Sequence, residues 1–284
     1  MQRVLSTYRY IHHPLGPTLL AEISQAGIPA IEVFCATGHF NYRSQQTVTE
    51  LAAALRDHGL KLHSLHSPTE RDMALERDSG VPMSISNTER VRRQDAVDEV
   101  KRALEVAERI PFEYLIQHMG QGRDDADPKK FEAAFNSLEH LVIFAKQRGV
   151  TIALENTPNE LGSPESLQQF IKETHLNGLK LCFDIGHAHI ESSIADGFEV
   201  MRDRVVTTHI HDNNGEKDEH LLPYEGSIDW DEALTLFSGA SQPLPMVLEL
   251  KEQPTGAPVL DRVRETFDKI EEGLNAKRSR AAKS

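Results

Sequence analysis

The chain has 284 residues, with 31 Lys plus Arg against 44 Asp plus Glu, 14 His and two Cys, for a formal net charge of -13. With 39% apolar and 26% charged residues it has the composition of a folded globular protein, not of a disordered chain, and its negative excess argues against non-specific polyanion binding. No stretch approaches the roughly 20 apolar residues of a membrane span, and the opening MQRVLSTYRYIHHP lacks a signal-type apolar run, so a cytoplasmic location without a membrane partner is expected.

Strand-length apolar runs and helix-length amphipathic runs alternate along the chain. The first strand is expected at 4–10 (VLSTYRY), followed by a helix that stops at Gly27, a strand at 30–34 (AIEVF) and a helix that stops at Gly59. A third strand at 60–67 (LKLHSLHS) leads into a polar irregular segment, 67–90, placed as a loop over the barrel mouth with a possible lid role. Strands at 113–119 (EYLIQHM) and 150–156 (VTIALEN) flank a helix that stops at Gly149. Ser163 and Pro164 start another helix as cap and first helical residue. Strands follow at 179–185 (LKLCFDI), 205–211 (VVTTHIH) and 246–251 (MVLELK), with helices at 229–237, capped by Asp229, and 259–274.

Eight near-continuous apolar strands alternating with helices predict an α/β fold, a single (β/α)8 TIM barrel over residues 1–275. Residues 276–284 form a basic tail, expected to be flexible. Cys35 and Cys182 both fall in strand-like apolar runs, which predicts buried free thiols. No sequence motif identifies an oligomer interface, although barrels of this kind often pair.

Ionisable residues cluster where these strands end. His63 and His66, His118, Glu155, Asp184 with His187, His209 with His211 and Asp212, and Glu249 all sit at or just beyond strand ends, and Asp218 and His220 follow the seventh strand. In a parallel barrel these ends meet at one face, where active sites lie. Taken singly, each is an ordinary hydrogen-bonded His or solvated acid. Gathered together, they would repel or stay unsatisfied without a shared cation. Mixed carboxylate and imidazole donors favour Mn, Zn, Co or Mg. Glu155 and Glu249 are placed to face each other across the barrel, a geometry suited to moving a proton between two faces of a carbon. His209 and His211 lie on one face of their strand, so spacing leaves open which of them ligates. The chain has no GxxxxGK[ST], GxGxxG, GxSxG or CxxC motif, so nucleotide, dinucleotide and serine-hydrolase chemistry drop away.

The segments LHSLHSP, LIQHMG, ALENTP, CFDIGHAH, HIHDNNGEKDEHLLPYEGSIDW and LELKE resemble the strand-end motifs of the xylose-isomerase-like TIM barrel superfamily. That group includes sugar and sugar-phosphate isomerases and epimerases and the type IV apurinic endonucleases. The resemblance implies Glu155, Asp184, His209 and Glu249 as ligands of one divalent ion, with the two glutamates as the acid/base pair. It also implies His187 as a substrate contact, and His66, His118, His220 and Lys251 are counted with it as substrate-binding candidates. In the endonucleases, positions matching His66, His118, His187, Asp218 and His220 help hold two further zinc ions, so one ion is expected here and up to three are possible, with His211 a further candidate. The function implied is isomerisation or epimerisation of a small sugar or sugar phosphate through an enediolate. The alternatives are a multinuclear zinc phosphodiesterase and a metal-dependent lyase or dehydratase. Few cations flank the expected mouth, namely Arg43, Arg71, Arg77, Arg123 and Lys217, and acids interleave with them, so a nucleic-acid partner is not expected. The epimerases carry an Arg a few residues after the seventh-strand His. Asn213, Asn214, Gly215, Glu216 and Lys217 stand there instead.

Overall fold

Eight parallel strands close on themselves in sequence order, the first pairing with both the second and the eighth. The computed structural model describes residues 1–70, 82–191, 193–252 and 259–281. The elements run β1 (Gln2–Ser6), α1 (Pro17–Gln25), β2 (Ala30–Phe34), α2 (Gln45–Asp57), β3 (Lys61–His66), α3 (Arg90–Glu105), β4 (Tyr114–His118), α4 (Pro128–Lys146) and β5 (Thr151–Glu155). They continue with α5 (Pro164–Thr174), β6 (Lys180–Asp184), α6 (Ile185–Glu191), α7 (Ile194–Met201), β7 (Val205–Ile210), α8 (Trp230–Ser238), β8 (Pro245–Leu248) and α9 (Val259–Ala281).

The strands read as continuous apolar runs because both faces are covered. Outward residues such as Leu5, Ile31 and Leu65 join the main core, which the helices close with Ile23, Leu51, Leu138, Phe170 and Phe267. Alternate residues point into the barrel and form small separate clusters, Val4 with Ala30 and Val247, and Ile116 with Ala153 and Cys182. One step further along β4, β5, β6 and β8 the inward residues become His118, Glu155, Asp184 and Glu249. The period of two therefore stacks a polar layer on top of an apolar one.

The expected punctuation is present. Gly27, Gly59 and Gly149 end their helices at φ of +79°, +66° and +73°, a left-handed geometry that costs glycine nothing. Ser163 Oγ accepts from the Ser166 N–H at 3.2 Å, and Asp229 Oδ1 accepts from the Asp231 and Glu232 N–H groups at 2.9 and 3.1 Å. Cys35 and Cys182 are free and buried.

Several boundaries differ from expectation. The first strand stops at Ser6, whose hydroxyl accepts from the Tyr8 N–H, and Thr7–Tyr10 turn into a 3-10 helix. The eighth ladder stops at Leu248, leaving Glu249 just beyond it. Three helices were not anticipated. In α3 the buried stripe of Ala96, Val97, Val100, Ala103 and Leu104 is diluted by charged residues, α6 follows β6 with no intervening loop, and α7 contains a glycine. Much of the irregular segment after β3, residues 71–81, lies outside the described residues. Its ends meet, with Glu70 bridged to Pro82 and the Met83 N–H donating to Thr69 O at 2.9 Å. The basic C-terminal stretch is helical as far as Ala281, with Lys277 Nζ 2.5 Å from Asp231 Oδ1. Among the described residues no helix is long and apolar enough to cross a membrane.

Candidate metal centre

Glu155 closes β5, Asp184 closes β6, His209 stands next to last in β7 and Glu249 follows β8. One donor atom from each of the four lies within 4.8 Å of the others, and all four residues are buried. His209 Nδ1 is the meeting point, 3.2 Å from Glu155 Oε1, 3.4 Å from Glu249 Oε2 and 3.8 Å from Asp184 Oδ2. That nitrogen is buried without a hydrogen-bond partner. Three buried carboxylates around an unpartnered imidazole nitrogen are costly unless a cation joins them. An oxygen-rich donor set with one nitrogen fits Mg, Mn, Zn or Co.

Glu155 links this group to a second. Its Oε2 lies 3.3 Å from His66 Nε2 and 3.2 Å from His118 Nε2, and its Oε1 lies 3.4 Å from His187 Nδ1. His66, His118 and Glu155 therefore form another group able to hold an ion, and His187, His211, Asp218 and His220 form a third. In the third, His220 Nε2 is 2.8 Å from Asp218 Oδ2, and its Nδ1 is 2.9 Å from the Glu249 carbonyl oxygen. Ring stacking fixes two of these imidazoles, His66 on Phe34 with centroids 4.2 Å apart and His211 on His220 at 4.0 Å.

The two histidines at the end of β7, His209 within it and His211 just beyond, separate clearly. His209 Nδ1 faces the three carboxylates, whereas His211 Nε2 lies 3.1 and 3.2 Å from the two oxygens of Asp184 and belongs to the third group.

Burial disfavours charge throughout the site, and neighbours decide which groups resist. Burial pushes the Glu155 carboxyl up, but the charges of His209 and His118 outweigh it and hold it well below the usual range. Asp184 is lowered in the same way, against burial, by His187 and His211. Burial pushes Glu249 up to about 7, with the Glu155 charge adding to it and the His209 charge opposing it. Burial and the His211 charge lower His220 to about 4. His209 goes the other way, its burial overcome by Cys182 and by the carboxylates of Glu155, Glu249 and Glu32.

Above the site opens a cavity of about 1000 Å³. His66, His118, Glu155, His187, Asp218, His220 and Glu249 line it, together with the apolar side chains of Ile11 and Phe34, the Tyr8 ring and the polar Thr157 and Asn159. Lys251 is not among its lining residues. Its ammonium donates to the Asp218 carbonyl oxygen and lies 3.6 Å from the Asp218 carboxylate. Arg43 sits 2.8 Å from Glu99, and neither it nor Arg123 nor Lys217 lines the cavity, while Arg71 and Arg77 lie outside the described residues.

Three further residues enter the site that were not among the expected site residues. Asn156 ties β5 to β6, its Oδ1 accepting from the Asp184 N–H at 2.7 Å and its Nδ2 donating to Asp184 O at 2.9 Å. Cys182 lies within donor range of Glu155 and His209, although burial raises its thiol pKa. Glu32, in the middle of β2, reaches His209 from beneath. A signal for Glu32 existed, since a carboxylate inside an otherwise apolar parallel strand needs a buried partner.

Fold and site together define the class: a (β/α)8 barrel that gathers carboxylates and imidazoles at its C-terminal rim. The chain belongs to the xylose isomerase-like TIM barrel family, whose profile matches residues 20–273. Among its relatives are two proteins of Methanocaldococcus jannaschii, each named only as uncharacterized. One is 33% identical over 159 residues, 52% of this chain and 54% of that protein, so the chain spans about half the length of that relative. The other is 31% identical over 212 residues, covering 74% and 77%. Similar solved structures include a D-tagatose 3-epimerase-like protein, with a TM-score of 0.80, 23% identity and coverage of 98% and 99%. An L-ribulose 3-epimerase superposes with a TM-score of 0.79 at 15% identity, covering 98% and 96%. A xylose isomerase-like barrel of Mycobacterium smegmatis in complex with magnesium does so at 0.75 and 14%, covering 98% and 97%. At these identities the likeness shows the fold.

Proposed function

We propose that this protein is a divalent-metal-dependent isomerase or epimerase of a small sugar or sugar phosphate, with Glu155 and Glu249 as the acid/base pair and Glu155, Asp184, His209 and Glu249 as ligands. One observation carries the reading. Of the four converging donors, Glu155 and Glu249 also line the cavity, while Asp184 and His209 are shut behind them. Two carboxylates are thus within reach of a substrate carbon from one common point. One removes the proton beside a carbonyl and the other delivers a proton to the resulting enediolate at a different face or carbon. A divalent ion held by the four residues would supply Lewis acidity to the carbonyl oxygen and orient neighbouring hydroxyls, and the similar barrel of Mycobacterium smegmatis is a complex with magnesium. His66, His118, His187 and His220 bind and orient hydroxyl groups from the cavity walls, and Tyr8 and Phe34 cover the apolar side and exclude water. The described lining offers imidazole, hydroxyl, amide and carboxylate groups, not Lys or Arg, which favours an uncharged sugar over a phosphorylated one.

The reading is tested by elemental analysis of purified protein, followed by a ketose and ketose-phosphate screen in deuterated water with Mn, Co, Mg or Zn restored. The expected outcome is one tightly held ion per chain and deuterium at the carbon beside the carbonyl. Turnover without deuterium incorporation would rule out the proton-transfer role of the glutamates.

A second reading, a multinuclear phosphodiesterase, is favoured by the two flanking donor groups that share or adjoin Glu155 and Asp184. It is chosen over the first if purified protein holds three zinc ions and cleaves abasic-site DNA.

A further inference from the structure

We infer that Glu32 is the positioning residue of the metal centre, holding the His209 ring so that Nδ1 presents its lone pair to the point where Glu155, Asp184 and Glu249 meet. The inference rests on the metal-centre reading above and adds a residue outside the ligand set. Glu32 is fully buried in β2, a strand whose five residues are all buried. β2 and β7 are not neighbours in the barrel, so the contact crosses its interior. Both Glu32 oxygens lie 3.2 Å from His209 Nε2. Ser64, paired with Glu32 in the β2–β3 register, donates its hydroxyl to Oε2 at 2.8 Å and holds the carboxylate in place.

A carboxylate accepts, so Nε2 must carry the hydrogen, and in the neutral ring that metal binding requires Nδ1 then keeps the free pair. That pair points at the three ligand carboxylates. Without Glu32 the ring is free to place a hydrogen on Nδ1 facing Glu155, where a cation is required. A carboxylate behind the second nitrogen of a ligand histidine fixes its tautomer and its rotation, and raises its donor strength. A Val or Ile at this position would fill β2 at lower desolvation cost, so the retained charge matches a role in the site.

The test compares wild type, Glu32→Gln and Glu32→Asp with Co2+ as the probe. Both substitutions are expected to weaken Co2+ binding, measured by chelator competition, by about 10- to 100-fold. Loaded with one equivalent of Co2+, wild type is expected to show a solvent-exchangeable, paramagnetically shifted ring N–H proton, which either substitution moves or broadens. A folded variant with wild-type affinity and an unchanged N–H spectrum overturns the inference, and Glu32→Asp decides if Glu32→Gln does not fold. Absence of the resonance from Co2+-loaded wild type overturns it without any variant. Wild type that takes up no Co2+ is a different failure, since it removes the metal-centre reading itself.

Discussion

Gly186 lies so close to His211 that a β-carbon on it would stand 1.9 Å from the imidazole Cε1. The start of α6 therefore passes directly against the ring that lies 3.1 Å from Asp184. Gly186→Ala has to displace His211 and, through it, Asp184. A loss of about 1–3 kcal/mol of stability is expected, the usual cost of overpacking, together with weaker Mn2+ binding. Urea unfolding and Mn2+ titration check both. A variant of wild-type stability would mean that the start of α6 yields more easily than its packing implies.

On the proposed reading, the protonation of the site should make metal binding pH-dependent. Burial, reinforced by Glu155 and opposed by His209, lifts Glu249 from an ordinary 4.5 to about 7, and His209 is also raised. An ion must displace these protons, so Mn2+ affinity should fall by about tenfold per pH unit below 7 for each proton released. In the metal-free protein these two groups act on stability with the opposite slope. Because the folded Glu249 pKa is above its unfolded value, its stabilising contribution is complete below 4.5 and is lost as pH rises through about 7. His209 acts in the same direction above 6.5. Thermal melts from pH 5 to 8, with Mn2+ and with EDTA, should therefore diverge as pH rises.

Substituting the two glutamates separates their structural and chemical duties. Glu155→Gln and Glu249→Gln should each lower turnover by at least about 10²- to 10⁴-fold, the typical worth of a positioned acid or base, while leaving far-UV circular dichroism unchanged. Glu155 touches His66, His118, His187 and His209, so its substitution should also cost more metal affinity than that of Glu249. Equal metal affinities in the two variants would contradict the linking position of Glu155.

Asp212 anchors the loop that carries Asp218 and His220. Its carboxylate accepts from the Asn213, Tyr224 and Ile228 N–H groups at 2.9, 2.9 and 3.2 Å and from Trp230 Nε1 at 2.8 Å. Asp212→Ala strands these buried donors, each worth about 1–3 kcal/mol when left unmade. Destabilisation of about 3 kcal/mol or more is expected. Trp230 is the only tryptophan, so altered fluorescence should report the lost bond while the barrel remains folded.

Periodicity and punctuation revealed most of the barrel in advance, since a strand buried on both faces and a helix buried on one leave different local spacings of apolar residues. The misses have local causes too. The α3 stripe is hidden among Arg, Asp and Glu, and the Ser6 hydroxyl ends β1 where the apolar pattern continues into Tyr8 and Tyr10. In the site, the strand-end positions of Glu155, Asp184, His209 and Glu249 were legible because parallel strands must bring their C-terminal ends to one rim. The partner of Glu32 was not, because it lies on β7 and the contact exists only once the barrel closes.

The order of βα units and the residue type at each strand end are properties of the chain alone, because local spacing sets them and parallel closure carries them to a single face. Which of His209 and His211 faces Glu155, Asp184 and Glu249 together, the linking position of Glu155, and the approach of Gly186 to His211 were decided by tertiary structure. Those depend on ring rotation and on distances across the barrel, which residues far apart in sequence set together.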